Sequence, residues 1–233
     1  QGALANGWLI TGPEGIGKAT LAYRLARGLL HDGGKTLDPP ADARASALIA
    51  ARAHPDLFVA ERRYDEKKER QAAEISVDTA RDLIHFLNHT ASMGGWRVAI
   101  VDTADDLNRN SANALLKALE EPPPRTALFV LSAAPGRLLP TIRSRCRRLA
   151  LRPYADETVT AFLQREGAAR GPEAAKIAAA AEGRPGFALR LALGDGPEAV
   201  DAVEAFVAAR DATGVAQRLA PKSADGVWPI FQE

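Results

Sequence analysis

The sequence predicts an α/β fold: a parallel sheet flanked by helices and built around a phosphate-binding loop, with a small all-helical domain after it. Over the first two thirds of the chain, short apolar runs alternate with helical patterns, as in a parallel sheet covered on both faces. A glycine loop, Gly12-Pro13-Glu14-Gly15-Ile16-Gly17-Lys18, falls between the first apolar run and the first helical pattern. Beyond Pro153 only helical patterns remain. The expected division is a phosphate-loop domain over 1–151, a helical lid over 152–194, and the start of a further helical segment over 195–233.

Each element has a local reason. Gly7–Thr11 reads as a buried strand leading into the loop, and 20–30 as a helix with Leu21, Leu25 and Leu29 four apart. Leu57–Ala60 is a second strand, and the mixed charges of 61–71 suit a solvated loop or hairpin. A helix opening at Val77 places Leu83, Ile84 and Leu87 on one face and is expected to stop at Gly94-Gly95. Residues 97–102 form the strongest central-strand candidate, with Val98-Ala99-Ile100-Val101 followed by Asp102. Asn110 or Ser111 is expected to cap a helix bearing Ala112, Leu115, Leu116 and Leu119. Pro122-Pro123-Pro124 ends it, because proline has no amide donor and clashes with the preceding turn. Strands over 126–131 and 148–151 enclose a short helix over 138–142. Three helices then follow, over 156–167, 172–182 and Pro185–Leu193, before a linker at Gly194-Asp195-Gly196-Pro197.

Composition narrows the function classes. A hydrophobic share of 46% and a charged share of 25% are ordinary for a soluble globular chain. The net charge of +1 excludes a strong global pull toward nucleic acid or anionic membrane, so any basic surface is local. One cysteine excludes an internal disulfide framework and a multi-cysteine zinc site. No apolar run approaches the roughly 18 residues of a membrane span. Residues 1–10 lack a basic leader, and a cytoplasmic location is expected.

A glycine loop between strand and helix aims backbone amides at one point, where the helix N-terminus adds positive potential. Gly12, Gly15, Gly17, Lys18, Ala19, Thr20 and Asp102 are therefore the candidate nucleotide-binding set. Hydrolysis asks for more. Magnesium normally takes a hydroxyl from the residue after the lysine and an acid at a neighbouring strand end. Ala19 has no hydroxyl, and Thr20 lies about 100° further round the helix. Asp102 supplies the acid, but the next residue, Thr103, has no carboxylate to act as a general base near neutral pH. Asp105 and Asp106 sit at the wrong offset to replace it. Nucleotide binding is compatible with this loop; efficient hydrolysis is not.

Six arginines, 137, 143, 145, 147, 148 and 152, crowd the last strand of the sheet. Most suit a solvated surface. Arg145, in Arg143-Ser144-Arg145-Cys146 at the rim of the domain, can instead project toward a neighbouring subunit. An arginine given in this way to a transferring phosphoryl group raises its rate by roughly 10³–10⁵. Cys146 reads as a small buried residue. His85 and His89 have metal-binding spacing but no third ligand, and no metal is expected. Arg109 and Lys117 read as a solvated helix face, with DNA contact as the alternative.

With these residues in view, the chain resembles the delta-prime family of bacterial DNA polymerase III clamp loader subunits, within the AAA+ superfamily. The likeness covers 7–151 and rests on the glycine loop, on Asn113-Ala114-Leu115-Leu116-Lys117-Ala118-Leu119-Glu120-Glu121-Pro122-Pro123, and on Ser144-Arg145-Cys146. It implies an AAA+ fold with a helical lid and a collar domain. It also implies a non-hydrolysing stator in a pentamer with the gamma or tau ATPases and the delta subunit, loading a sliding clamp onto primer-template DNA. Arg145 would then complete a neighbour's ATP site in trans. The resemblance implies no required cofactor; ATP, ADP or phosphate can occupy the degenerate loop. Many relatives carry a four-cysteine zinc module after the first helix, which this chain lacks, so no zinc is expected. An active gamma- or tau-like ATPase is the main alternative, and a small-molecule kinase or a pure scaffold are further ones.

Overall fold

The computed structural model describes residues 6–65 and 70–194. Their elements run β1 (Gly7–Thr11), α1 (Lys18–Asp32), α2 (Arg44–Ala50), β2 (Leu57–Ala60), β3 (Tyr64–Asp65), β4 (Arg70–Gln71), α3 (Val77–Asn88), β5 (Arg97–Val101), α4 (Arg109–Glu120), β6 (Thr126–Ser132), α5 (Pro140–Arg145), β7 (Arg147–Ala150), α6 (Asp156–Arg165), α7 (Gly171–Ala180) and α8 (Pro185–Leu193). They fall into two compact units: one built from 6–12, 24–38, 54–65 and 70–150, the other from 13–23, 39–53 and 151–194. The segment expected to be helical over 195–233 lies outside the described residues.

The first unit holds a five-stranded sheet in the order β2-β5-β6-β1-β7. Every neighbouring pair is parallel, with Gly7 opposite Leu128, Leu57 opposite Val98, Arg97 opposite Thr126 and Trp8 opposite Arg147. Because the strands are parallel, their carboxyl ends share one rim, the place where open α/β sheets bind ligands. Strands β5 and β6 are buried along their whole length, as central strands covered on both faces must be. Leu9, Ala99, Val101, Leu128 and Val130 face Leu83 and Leu87 of α3, Leu115 and Leu119 of α4, and Ile142 of α5. Strand alternation turns Ile10, Ile100, Phe129 and Leu131 to the opposite face, where they too are buried.

The second unit contains the helices after Pro153. Val159 and Leu163 of α6, Ala174 and Ala178 of α7, Ala181 and Ala188 form its core. Alanine at the contact positions lets short helices pack closely. Among the described residues no helix is long and apolar enough to cross a membrane.

Several boundaries differ from the sequence expectation. Helix α3 stops at Asn88, well before Gly94-Gly95. The next segment is held instead by Asp56, whose carboxylate accepts the amides of Ser92 at 2.7 Å and Met93 at 2.9 Å. Helix α4 is capped by Asn108, not Asn110 or Ser111; its side-chain oxygen accepts both of their amides. Helix α5 begins at Pro140 and runs to Arg145, so Arg143 to Arg145 belong to the helix rather than to a turn after it. Helix α2 has no counterpart in the expectation. Within the charged 61–71 segment, β3 pairs antiparallel with β4, Tyr64 opposite Gln71 and Asp65 opposite Arg70.

Candidate functional site

The loop takes its shape from its glycines. Gly12, Gly15 and Gly17 have φ of 152°, 76° and 102°, backbone that side chains rarely adopt. Ile16, between the latter two, is buried and anchors the turn. The Lys18 ammonium donates to the carbonyl of Pro13 at 3.0 Å, so it curls back over the loop. Helix α1 begins at Lys18, and Ala19 and Thr20 stand in its first turn, both half-buried. Glycine conformation, lysine and helix start fit a phosphate. The metal position does not, because Ala19 brings only a methyl group where a hydroxyl is needed.

The start of α8 lies against this loop, inside the same unit. The amide of Gly186 donates to the carbonyl of Gly15 at 2.8 Å. A β-carbon on Gly15 would sit 2.7 Å from the Phe187 nitrogen, so glycine is required there for packing as well as for conformation. The Arg190 guanidinium meets the Glu14 carboxylate at 2.9 Å. Arg184 and Arg190 also lie over the Phe187 ring, at 4.3 and 5.4 Å from its centre.

Asp102 follows β5 at the carboxyl rim, its amide bonded to the Ala60 carbonyl at 2.9 Å. Thr103 is part of a brace. Its hydroxyl donates to the carbonyl of Leu131 at 2.9 Å and contacts the Asp105 carboxylate at 3.1 Å. Asp105 in turn accepts from the Ser132 hydroxyl and the Ala133 amide, each at 2.6 Å. Its lone pairs are committed to tying β5 to β6, which leaves no oxygen to activate water. Asp106 pairs with Arg62 at 3.1 Å. Burial pushes its carboxyl above the usual range; Arg62 opposes that shift and Asp105 adds to it.

Arg145 stands in the last turn of α5, 36% exposed. One guanidinium nitrogen donates to the Thr141 carbonyl at 3.1 Å; another meets Glu120, the last residue of α4, at 2.8 Å. Cys146, just beyond, is buried in the sheet core, and that burial pushes its thiol up to about 11. It stays protonated near neutral pH and is no nucleophile. Arg143, Ser144 and Arg148, with Leu9, Pro135 and Pro140, line an open cavity of about 490 Å³. Arg109 and Lys117 are exposed on α4. The His85 and His89 ring centres lie 4.2 Å apart with the rings tilted by 53°, and among the described residues no group of three His, Cys, Asp or Glu converges on a metal position.

The structure thus gathers Gly15, Gly17, Lys18, Ala19 and Thr20 in one loop and helix start, and sets Gly12 and Asp102 at strand ends on the sheet rim. Glu120 enters the sequence reading only as part of the Glu120-Glu121-Pro122 stop, without its contact to Arg145, and Phe187 does not enter it. Both are contacts between segments distant in the chain, which no local motif signals.

A family model for the DNA polymerase III delta subunit matches residues 1–155. The chain belongs to that family. Within it, the delta-prime subunit of Pseudomonas aeruginosa is 44% identical over 142 residues, covering 61% of this chain and 42% of that protein. The delta-prime subunit of Escherichia coli is 35% identical over 187 residues, covering 80% of this chain and 54% of that protein. The tau subunit of Escherichia coli, also similar, is 31% identical over 220 residues, or 90% of this chain and 33% of tau. The chain spans about half the length of the delta-prime relatives it matches.

Proposed function

We propose that this member of the DNA polymerase III delta subunit family is a delta-prime stator of a clamp loader. It does not hydrolyse ATP itself and supplies Arg145 in trans to the ATP site of an adjoining gamma or tau subunit. Its partners are then those ATPases and the delta subunit, with the sliding clamp and primer-template DNA met through the assembly. The observation that carries the proposal is the position of Arg145: part-exposed in the last turn of α5, with Cys146 beside it anchored in the core. A cation on a fixed backbone at the edge of a domain is what a neighbour's phosphates require. The chemistry of the chain's own loop adds support, since Ala19 and Thr103 provide neither the metal hydroxyl nor the general base. ATP, ADP or phosphate can rest on Gly15, Gly17 and Lys18 without being turned over, and no zinc takes part.

The test is steady-state ATP hydrolysis by a clamp loader assembled with the full-length protein. Arg145→Ala is expected to lower the rate by roughly 10³-fold at the one site it serves. Lys18→Ala is expected to leave the rate near wild type. A loss with Lys18→Ala, together with magnesium-dependent ATP turnover by the isolated protein, would favour an active gamma- or tau-like ATPase instead.

A further inference from the structure

The arginine assigned to a neighbour is turned back onto its own chain. Two nitrogens of the Arg145 guanidinium are engaged at home, with the Thr141 carbonyl at 3.1 Å and Glu120 at 2.8 Å. Glu120 ends α4, where Pro122 and Pro123 prevent the helix from continuing. Ala118 and Leu119 on that turn, and Ile142 and Cys146 flanking Arg145, all belong to one buried cluster. The two backbones are therefore fixed relative to each other, and only the side chains can part.

They can part at little cost. The pair is partly exposed, 36% for Arg145 and 47% for Glu120, and such pairs hold weakly. A terminal phosphoryl group brings more charge and more acceptor oxygens than a carboxylate, so it competes well for a guanidinium. From this arrangement we infer that Glu120 is a positioning residue: it parks Arg145 against its own chain and yields it to the phosphates of a neighbouring subunit's nucleotide. The inference rests on the reading of Arg145 as a finger in trans. It adds an internal competitor, which lowers the fraction of assemblies whose finger is free to engage.

The experiment uses the clamp loader assembled with the full-length protein, measuring kcat and KM for ATP across a range of salt. Glu120→Gln keeps the side chain's shape and removes its charge. It is expected to raise kcat about twofold to fivefold at low salt with KM little changed, the gain fading as salt screens the pair in the wild type. Glu121→Gln makes the same change in net charge next door and is expected to leave kcat unmoved. In the Glu120→Gln/Arg145→Ala double variant the gain is expected to vanish, leaving the rate of Arg145→Ala alone. A fall in kcat with Glu120→Gln would mean that the carboxylate aims the finger, and would overturn the parking role. No change at any salt, or an equal rise with Glu121→Gln, would overturn it too. Full activity in Arg145→Ala would instead remove the finger itself, an outcome separate from any behaviour of Glu120.

Discussion

Replacing Gly15 with alanine tests whether α8 is fastened to the phosphate loop. Two costs arise at this position. The backbone sits at φ 76°, where an L residue carries a penalty of about 1–2 kcal/mol. The new methyl group would also lie 2.7 Å from the Phe187 nitrogen and 2.9 Å from its β-carbon, distances that real β-carbons do not tolerate. Backbone must move, and the Gly186 amide bond to the Gly15 carbonyl goes with it, removing a further 0.5–1.5 kcal/mol or so. Together these give about 1.5–3.5 kcal/mol, or a fall in melting temperature of roughly 3–14 °C. Gly17→Ala is the control: its φ is 102°, yet a β-carbon there meets nothing within 4 Å, so only the backbone penalty applies. The assay is thermal denaturation followed by circular dichroism, with amide hydrogen exchange at Gly186. Faster exchange at Gly186 and a larger fall for Gly15→Ala than for Gly17→Ala are expected. Equal melting temperatures with unchanged Gly186 exchange would refute a fastened loop.

Asp56→Ala strips the acceptor from the Ser92 and Met93 amides and leaves Arg97, 8% exposed at its side chain, without its carboxylate at 3.8 Å; a loss of about 3–5 kcal/mol is expected in chemical denaturation. Asn108→Ala removes the acceptor for two amides at the start of α4 and is expected to cost about 1 kcal/mol by the same measurement. Cys146 should resist alkylation in the folded protein at pH 8 and react fully once unfolded, as a thiol count in native buffer and in denaturant would record. Because its thiol is raised to about 11 when folded, the folded state keeps the proton longer than the unfolded one. Stability from this group is thus complete below the ordinary thiol range and is lost as pH rises through about 11, so the pH slope of stability above 9 should be shallower in Cys146→Ala.

The strands were the most legible part of the chain. Leu57–Ala60 and Gly7–Thr11 have the bounds that their apolar runs and flanking glycine or proline suggest, since a short apolar run bounded by turn residues reads as a strand even where it is only partly buried. Helix ends were harder. Asn108, Asn110 and Ser111 are all good capping residues within four positions, and local pattern does not choose among them. The early end of α3 depends on Asp56, 36 residues before Ser92, so the sequence around Gly94-Gly95 could not reveal it. Helix α2 is seven residues long with no side-chain cap, too short for a periodic signal. At the candidate site, the loop, Arg145 and the Glu120-Glu121-Pro122 stop are motifs, whereas the contacts of Glu120 with Arg145 and of Phe187 with Gly15 join distant segments.

The Thr103 brace bears on what a carboxylate at that position would do. Position 103 looks like a single exchange away from a general base. In the folded protein, however, its hydroxyl joins the Leu131 carbonyl to the Asp105 carboxylate, which itself secures the end of β6. A glutamate there would forfeit that link and bring a second negative charge beside Asp105. Thr103→Glu is therefore expected to lower stability unless Asp105 and Ser132 change with it. Thr103 is in this sense a keystone: the chemistry of that position cannot be altered without loosening the joint between two strand ends.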